Sequence, residues 1–316
     1  MSDIPIPEFL SEQARAVLAT PRPPSVPPPV EDTDAWSRYV QVHDAAIAKM
    51  YAPLESLPVE SELRRPAGVD TYVLTPPDAD ERGDSPLLLD VHGGALTQCA
   101  GDIGRLMSLP NAMRTGLVHW VPDYRMPPAH PFPAALDDVL AVYRAMLEVR
   151  APERIMVCGT SAGGNIAAAL MLRLKDEGIP LPESLMLLSP EIDLTESGDS
   201  FGTLAEASNM LGSLMANNLL YANGRDLTDP YISPLFGDVA GWPPTLLQAG
   251  GRDLFLSNAI RMHRKLRAAG VQAELHVFEA MPHTGFWGAP EDLELDAEIR
   301  RFVSARFGRT TAGQMP

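Results

Sequence analysis

The sequence holds a serine, a histidine and an aspartate in settings that would let them act together on a carbonyl carbon. Ser161 stands in GTSAGG, with Gly159 two residues before it and Gly163 two residues after. That G-x-S-x-G spacing sets a serine at the tip of a sharp strand-to-helix turn, where a β-carbon on either flank would have no room. A serine hydroxyl is a poor nucleophile near neutral pH, so it needs a base within hydrogen-bond reach and an acid that orients the base. Among the seven histidines, His283 lies in the loop MPHTGF directly after the last predicted strand; His276 falls within that strand, His263 in a helix, and His43 and His119 in ordinary contexts ahead of the serine. The acid is expected between serine and histidine in chain order. Asp253 in LLQAGGRDLFL follows a strand and two glycines and is taken as the acid. Asp193 in SPEIDL is the competitor, and Asp193 and Glu191 are otherwise expected to hold loops by hydrogen bonds. A tetrahedral intermediate also needs preorganised donors for its oxyanion. The stretch from His92 through Gly93, Gly94 and Ala95 to Leu96 ends a predicted strand, and its glycines allow the amides of Gly94 and Ala95 to turn inward beside that of Ala162. His92 is then expected to fix the loop.

These groups need a rigid frame, and the hydropathy pattern supplies one. Strands are predicted at 69–75, 87–91, 117–121, 155–158, 185–188, 245–248 and 273–278, alternating with helices at 102–115, 134–149, 166–172, 256–269 and 291–306. Such alternation predicts an α/β fold: a mostly parallel central sheet with helices on both faces. Ahead of it, a short helix over 8–19 and a segment with six prolines between Thr20 and Asp34 lead to an amphipathic helix carrying Trp36, Val40, Ile47 and Tyr51. The stretch 195–234 interrupts the alternation, with helical runs at 204–210 and 213–221. The expected organisation is an N-terminal cap segment over 1–60, then a catalytic domain over 61–316 with a cap insertion at 195–234, placed over the sheet's carboxyl edge where α/β proteins bind ligands. Trp36, Leu96, Met210 and Trp287 are the expected substrate-lining residues.

Composition narrows the partners. With 25 Lys plus Arg against 41 Asp plus Glu, the formal charge of −16 disfavours a nucleic-acid backbone or an anionic membrane surface. No apolar run nears the length needed to span a bilayer, and the start MSDIPIPEFL lacks a basic leader, so a cytoplasmic location is expected. Two cysteines, Cys99 and Cys158, are too few for a disulfide framework, and no Cys/His spacing fits zinc. Neither a metal nor a cofactor is expected. The absence of any Gly-Lys pair excludes a P-loop.

Taken together, HGGA at 92–95, DYRMPPAHPFPA at 123–134, GTSAGG at 159–164, SPEIDL at 189–194, GGRDL at 250–254 and PHTGF at 282–286 resemble the bacterial hormone-sensitive-lipase-like carboxylesterases of the α/β-hydrolase superfamily. The resemblance runs from about Tyr72 to Phe307. It implies a Ser161, Asp253, His283 triad, an oxyanion hole at Gly93, Gly94, Ala95 and Ala162, a helical cap, a small ester substrate, no cofactor and a possible homodimer. Three positions depart from the family pattern: Ala95 replaces the third glycine of HGGG, Ala129 the glutamate of APEHPFPA, and Leu254 a proline after the triad aspartate. The HGGA-Leu loop resembles the GGG(A)X arrangement associated with room for esters of tertiary alcohols. The expected function is hydrolysis of short-chain carboxylic esters through an acyl-enzyme. A lactone hydrolase with the same triad is the alternative, and a non-catalytic ligand receptor on the same fold the remote one.

Overall fold

Near-continuous apolar runs such as LLLDV, SLMLL and TLLQAG suit strands covered on both faces, and they form the middle of the sheet. The computed structural model describes residues 4–22, 25–209 and 212–308. In chain order the elements are α1 (Glu12–Ala19), α2 (Thr33–Tyr51), β1 (Glu60–Arg64), β2 (Thr71–Thr75), β3 (Leu87–Val91), α3 (Asp102–Thr115), β4 (Val118–Pro122), α4 (Ala134–Val149), β5 (Ile155–Thr160), α5 (Ala162–Asp176), β6 (Ser184–Leu188), α6 (Ser200–Thr203), α7 (Met215–Ala222), β7 (Thr245–Gly250), α8 (Leu256–Ala268), β8 (Ala273–Phe278) and α9 (Asp292–Phe307).

The eight strands lie in the order β1-β2-β4-β3-β5-β6-β7-β8. β2 runs antiparallel to both its neighbours, and every pair from β4 through β8 is parallel. Side chains alternate across the sheet as strand geometry requires. Leu87, Leu89 and Val91 pack with α4, α5 and α8 on one face, whereas Leu88 packs with α1 and α9 on the other. α3 covers Leu74 and Val121 near the antiparallel end.

The strand order places the ligand crevice. After β3 the chain crosses to β4 on one side, then returns to lay β5 on the other side of β3. Crossovers leaving in opposite directions open a crevice at the carboxyl ends of β3 and β5. His92 to Gly94 leave one of these ends and Ser161 the other.

Two expectations about elements are corrected. β1 carries the sequence ESELR, is largely exposed and pairs only with β2, so it shows no apolar pattern. In the insertion the helices lie at Ser200–Thr203 and Met215–Ala222 and residues 204–207 form a turn, while Met210 lies outside the described residues. Among the described residues no helix is long and apolar enough to cross a membrane.

Candidate active site

Ser161 sits between the last residue of β5 and the first of α5 with φ +57° and ψ −122°, a conformation that strains any residue with a β-carbon. Its amide donates to the Leu188 carbonyl at 2.9 Å, and its own carbonyl accepts from Gly164 and Glu191. The helix can start this abruptly because Gly163 has no side chain: a β-carbon there would lie 1.9 Å from the carbonyl oxygen of Val91. The elbow is thereby pressed against the end of β3, which brings Ser161 beside the 92–99 loop.

His283 follows β8, in a loop where Thr284, Gly285 and Trp287 all have positive φ. Its Nε2 lies 2.9 Å from Ser161 Oγ, and its Nδ1 is 3.1 Å from each carboxylate oxygen of Asp253. A proton on Nδ1 donated to Asp253 leaves Nε2 free to accept from the serine hydroxyl. The Phe255 ring stands edge-on to the imidazole at 5.1 Å, fixing its plane. Asp253 is fully buried. Burial alone would raise its pKa, but the charge and hydrogen bond of His283 and the amide of Phe255 outweigh that and hold the carboxyl below its ordinary value. Asp193 is engaged elsewhere, accepting from Thr195 Oγ1 at 2.5 Å, Ser197 Oγ at 2.7 Å and Arg261 at 2.5 Å.

The loop after β3 turns through Gly94 (φ +134°), Ala95 (+50°) and Leu96 (+62°). Gly94 is obligatory, since a β-carbon there would lie 2.2 Å from the Gln98 carbonyl oxygen. His92 is buried with its imidazole stacked on Tyr124 at 4.4 Å and its Nδ1 2.8 Å from the Gly93 carbonyl, while Tyr124 Oη donates to the His92 carbonyl at 2.7 Å. Burial pushes the His92 imidazole below its ordinary pKa and keeps it neutral. The amide of Ala162 belongs to the first turn of α5, where no intrahelical acceptor exists. A serine hydroxyl within reach of an imidazole, next to a glycine-bearing loop and a helix N-terminus, is an arrangement that can carry out acyl transfer. A family model described as the alpha/beta hydrolase fold matches residues 88–287, well over half of the chain. The crystal structure of an esterase from the bacterial hormone-sensitive lipase family superposes with a TM-score of 0.81 at 30% identity, over 94% of this chain and 99% of that one.

The chain belongs to the hormone-sensitive-lipase-like alpha/beta hydrolases.

The hydrolase is also 33% identical to an esterase of Acinetobacter venetianus over 69% of this chain and 75% of the relative. A further esterase crystal structure matches it with a TM-score of 0.86 at 34% identity, covering 96% of each chain. In the hydrolase a cavity of about 1060 Å³ is lined by Ser161 and His283 together with Tyr51, Met107 and Trp287. Its walls come from the sheet edge, α3, the loop after β8, the start of α9 and the N-terminal segment, with Gln13, Ile47, Met50 and Tyr51 contributed by α1 and α2 and Leu214 by the insertion. Among the described residues no group of three or more His, Cys, Asp or Glu side chains is gathered to hold a metal ion.

The substrate-lining expectations fare unevenly. Trp287 lines the cavity and packs on Tyr51 with ring centroids 5.2 Å apart. Trp36 is corrected: it is buried against the proline strap, its indole N–H donating to the Pro29 carbonyl at 3.1 Å, and is not among the cavity's lining residues. Leu96 is corrected too, because its left-handed backbone turns the side chain into the core with Val91, Trp120 and Tyr124. Ala95, one residue earlier, does line the cavity. Met107 and Gln13 were not foreseen; the helical patterns around them show only that they lie on helices, not which faces a void.

Proposed function

We propose that the protein is a serine carboxylesterase working through an acyl-enzyme. Ser161 Oγ attacks the ester carbonyl as His283 Nε2 takes its proton, and Asp253 holds the imidazole in the tautomer that can accept it. The amides of Gly94, Ala95 and Ala162 stabilise the oxyanion, with Gly93 shaping the turn that presents them. Collapse of the tetrahedral intermediate expels the alkoxide, which leaves as the alcohol with the proton from His283. A water molecule then repeats the sequence in reverse roles to release the acid. The observation that carries this reading is the unbroken relay of 2.9 Å and 3.1 Å contacts from Ser161 to Asp253, with Ser161 and His283 lining a mainly apolar cavity.

The segments 1–60 and 195–234 act as the cap in this reading. It is supported by Gln13, Ile47, Tyr51 and Leu214 in the cavity wall and by direct ties between the two segments: Asn209 Nδ2 donates to the Val17 carbonyl at 2.6 Å, and Arg22 to the Ser208 carbonyl at 3.1 Å. The test is labelling with a fluorophosphonate, joined to hydrolysis of p-nitrophenyl esters of rising acyl length and of a few lactones. Ser161→Ala is expected to abolish labelling and to lower kcat by at least about 10⁴-fold with the fold intact. Retained activity in that variant would overturn the assignment, and turnover confined to lactones would replace ester by lactone hydrolysis with the same residues.

A further inference from the structure

The backbone that presents Gly94 and Ala95 is costly to hold. Besides those two residues, Leu96 (φ +62°) and Cys99 (φ +73°) lie in the left-handed region, where a β-carbon crowds the backbone. Such conformations persist only where the surroundings over-determine them. Part of the determination is internal, since the Gly94 carbonyl accepts from the amides of Thr97 at 3.0 Å and Gln98 at 2.9 Å. Two further hydrogen bonds come from outside the sheet and its covering helices. Asp44 Oδ1, on α2, accepts from the Cys99 amide at 2.9 Å. Asn217 Nδ2, on α7, donates to Thr97 Oγ1 at 2.8 Å, with both side chains buried. One bond therefore comes from the N-terminal segment and one from the insertion, the two pieces of chain that also wall the cavity.

Resting on the reading of this loop as the oxyanion hole, we propose that Asp44 and Asn217 are positioning residues that make oxyanion stabilisation depend on closure of the cap. With both segments seated, Thr97 and Cys99 are pinned and the Gly94 and Ala95 amides point at the reacting carbonyl. When either segment lifts, its bond breaks, and the strained stretch between the remaining anchors relaxes away from that geometry. Closure over a bound ester thus completes the catalytic constellation, and an open cap leaves the serine present but its oxyanion unsupported. Neither residue touches substrate in this scheme; both act through the loop backbone.

The experiment compares the full-length chain with Asp44→Ala, Asn217→Ala, Thr97→Val and Asp44→Asn. Three quantities are read: kcat, KM for p-nitrophenyl butyrate, and affinity for a trifluoromethyl ketone, whose adduct with the serine carries an oxyanion. Misplaced donors predict a loss of roughly ten- to a hundred-fold in kcat for Asp44→Ala and Asn217→Ala, a matching loss of ketone affinity, and KM within about twofold. Asp44→Asn keeps an acceptor oxygen for the Cys99 amide and is expected to restore kcat. Thr97→Val combined with Asn217→Ala is expected to cost no more than either alone, because they remove the same bond. Unchanged kcat in the alanine variants would overturn the proposal, as would a kcat loss without loss of ketone affinity or an Asp44→Asn variant as impaired as Asp44→Ala. Failure of the underlying serine-esterase reading is separately visible: ketone binding that is tight in the parent and survives Ser161→Ala would show that no adduct forms on that serine.

Discussion

Replacing Glu191 by glutamine is expected to make the protein's stability less sensitive to alkali. Glu191 lies directly behind the nucleophile, its amide on the Ser161 carbonyl at 3.1 Å and its own carbonyl held by Asn165 at 2.9 Å. The carboxyl is completely buried; Asn218 approaches it, but neither oxygen reaches a partner at hydrogen-bonding geometry, and the amide oxygens of Asn165 and Asn218 also lack a donor. The charged neighbours acting on it are both carboxylates, Glu196 and Asp253. Burial first, and these like charges after it, push the pKa from 4.5 up to about 8. In the unfolded chain the group ionises near its ordinary value, so between there and about 8 the folded state holds one more proton than the unfolded state. Stability contributed by this proton is full below the unfolded pKa and falls as pH rises through the folded one. The slope is about 1.4 kcal/mol per pH unit, or about 4 kcal/mol between pH 5 and pH 8. Glutamine keeps the shape and offers a permanent donor to the asparagine oxygens. Urea unfolding of parent and Glu191→Gln at half-unit steps of pH is the assay, and the stability difference is expected to move in favour of glutamine by about that amount as pH rises to 8. A difference constant across the range would refute the reasoning, because it would mean Glu191 is ionised throughout.

Asp253→Asn is expected to lower kcat roughly 10⁴-fold by favouring the wrong imidazole tautomer, whereas Asp193→Asn changes kcat by a few-fold at most and lowers the melting temperature; steady-state kinetics and calorimetry on both variants separate the roles. Trp287→Ala opens the cavity beside Tyr51 and should raise the octanoate-to-butyrate ratio of kcat/KM roughly tenfold, read from p-nitrophenyl esters. Ala95→Phe should abolish slow hydrolysis of tert-butyl acetate before that of p-nitrophenyl acetate, since the small side chain lines the cavity; equal losses would place the effect in the proposed oxyanion donors. Deleting residues 1–22 uncovers the sites filled by Leu10 and Leu18, each about 1.5–3 kcal/mol, and should lower unfolding free energy by about 3–6 kcal/mol in urea.

What the sequence made legible follows from how local each signal is. β3, β5, β6 and β7 read as strands because burial on both faces leaves unbroken apolar runs; Ser161 and Asp253 read as site residues because each comes directly after such a run, and His283 because its Pro- and Gly-bearing loop follows the last strand, the half-exposed β8. β1 was invisible because an edge strand with exposed faces needs no apolar period. Trp36 and Leu96 show the limit from the other side: residue type suggested a pocket, but the direction of each side chain depends on a proline strap and a left-handed turn that no periodicity encodes. The bonds from Asp44 to Cys99 and from Asn217 to Thr97 join residues 55 and 120 positions apart and leave no trace in spacing.

The ties between the N-terminal segment and the insertion reach further than the site. Asn209 holds the Val17 and Thr20 carbonyls, and Arg22 those of Ala205 and Ser208, across more than 180 residues of intervening chain. For anyone recombining this hydrolase with a homologue, the two pieces are a single heritable part written in two places. A chimera that imports one without the other inherits mismatched halves, and a crossover library that lets them segregate will be depleted of active members even where every parental fragment is sound.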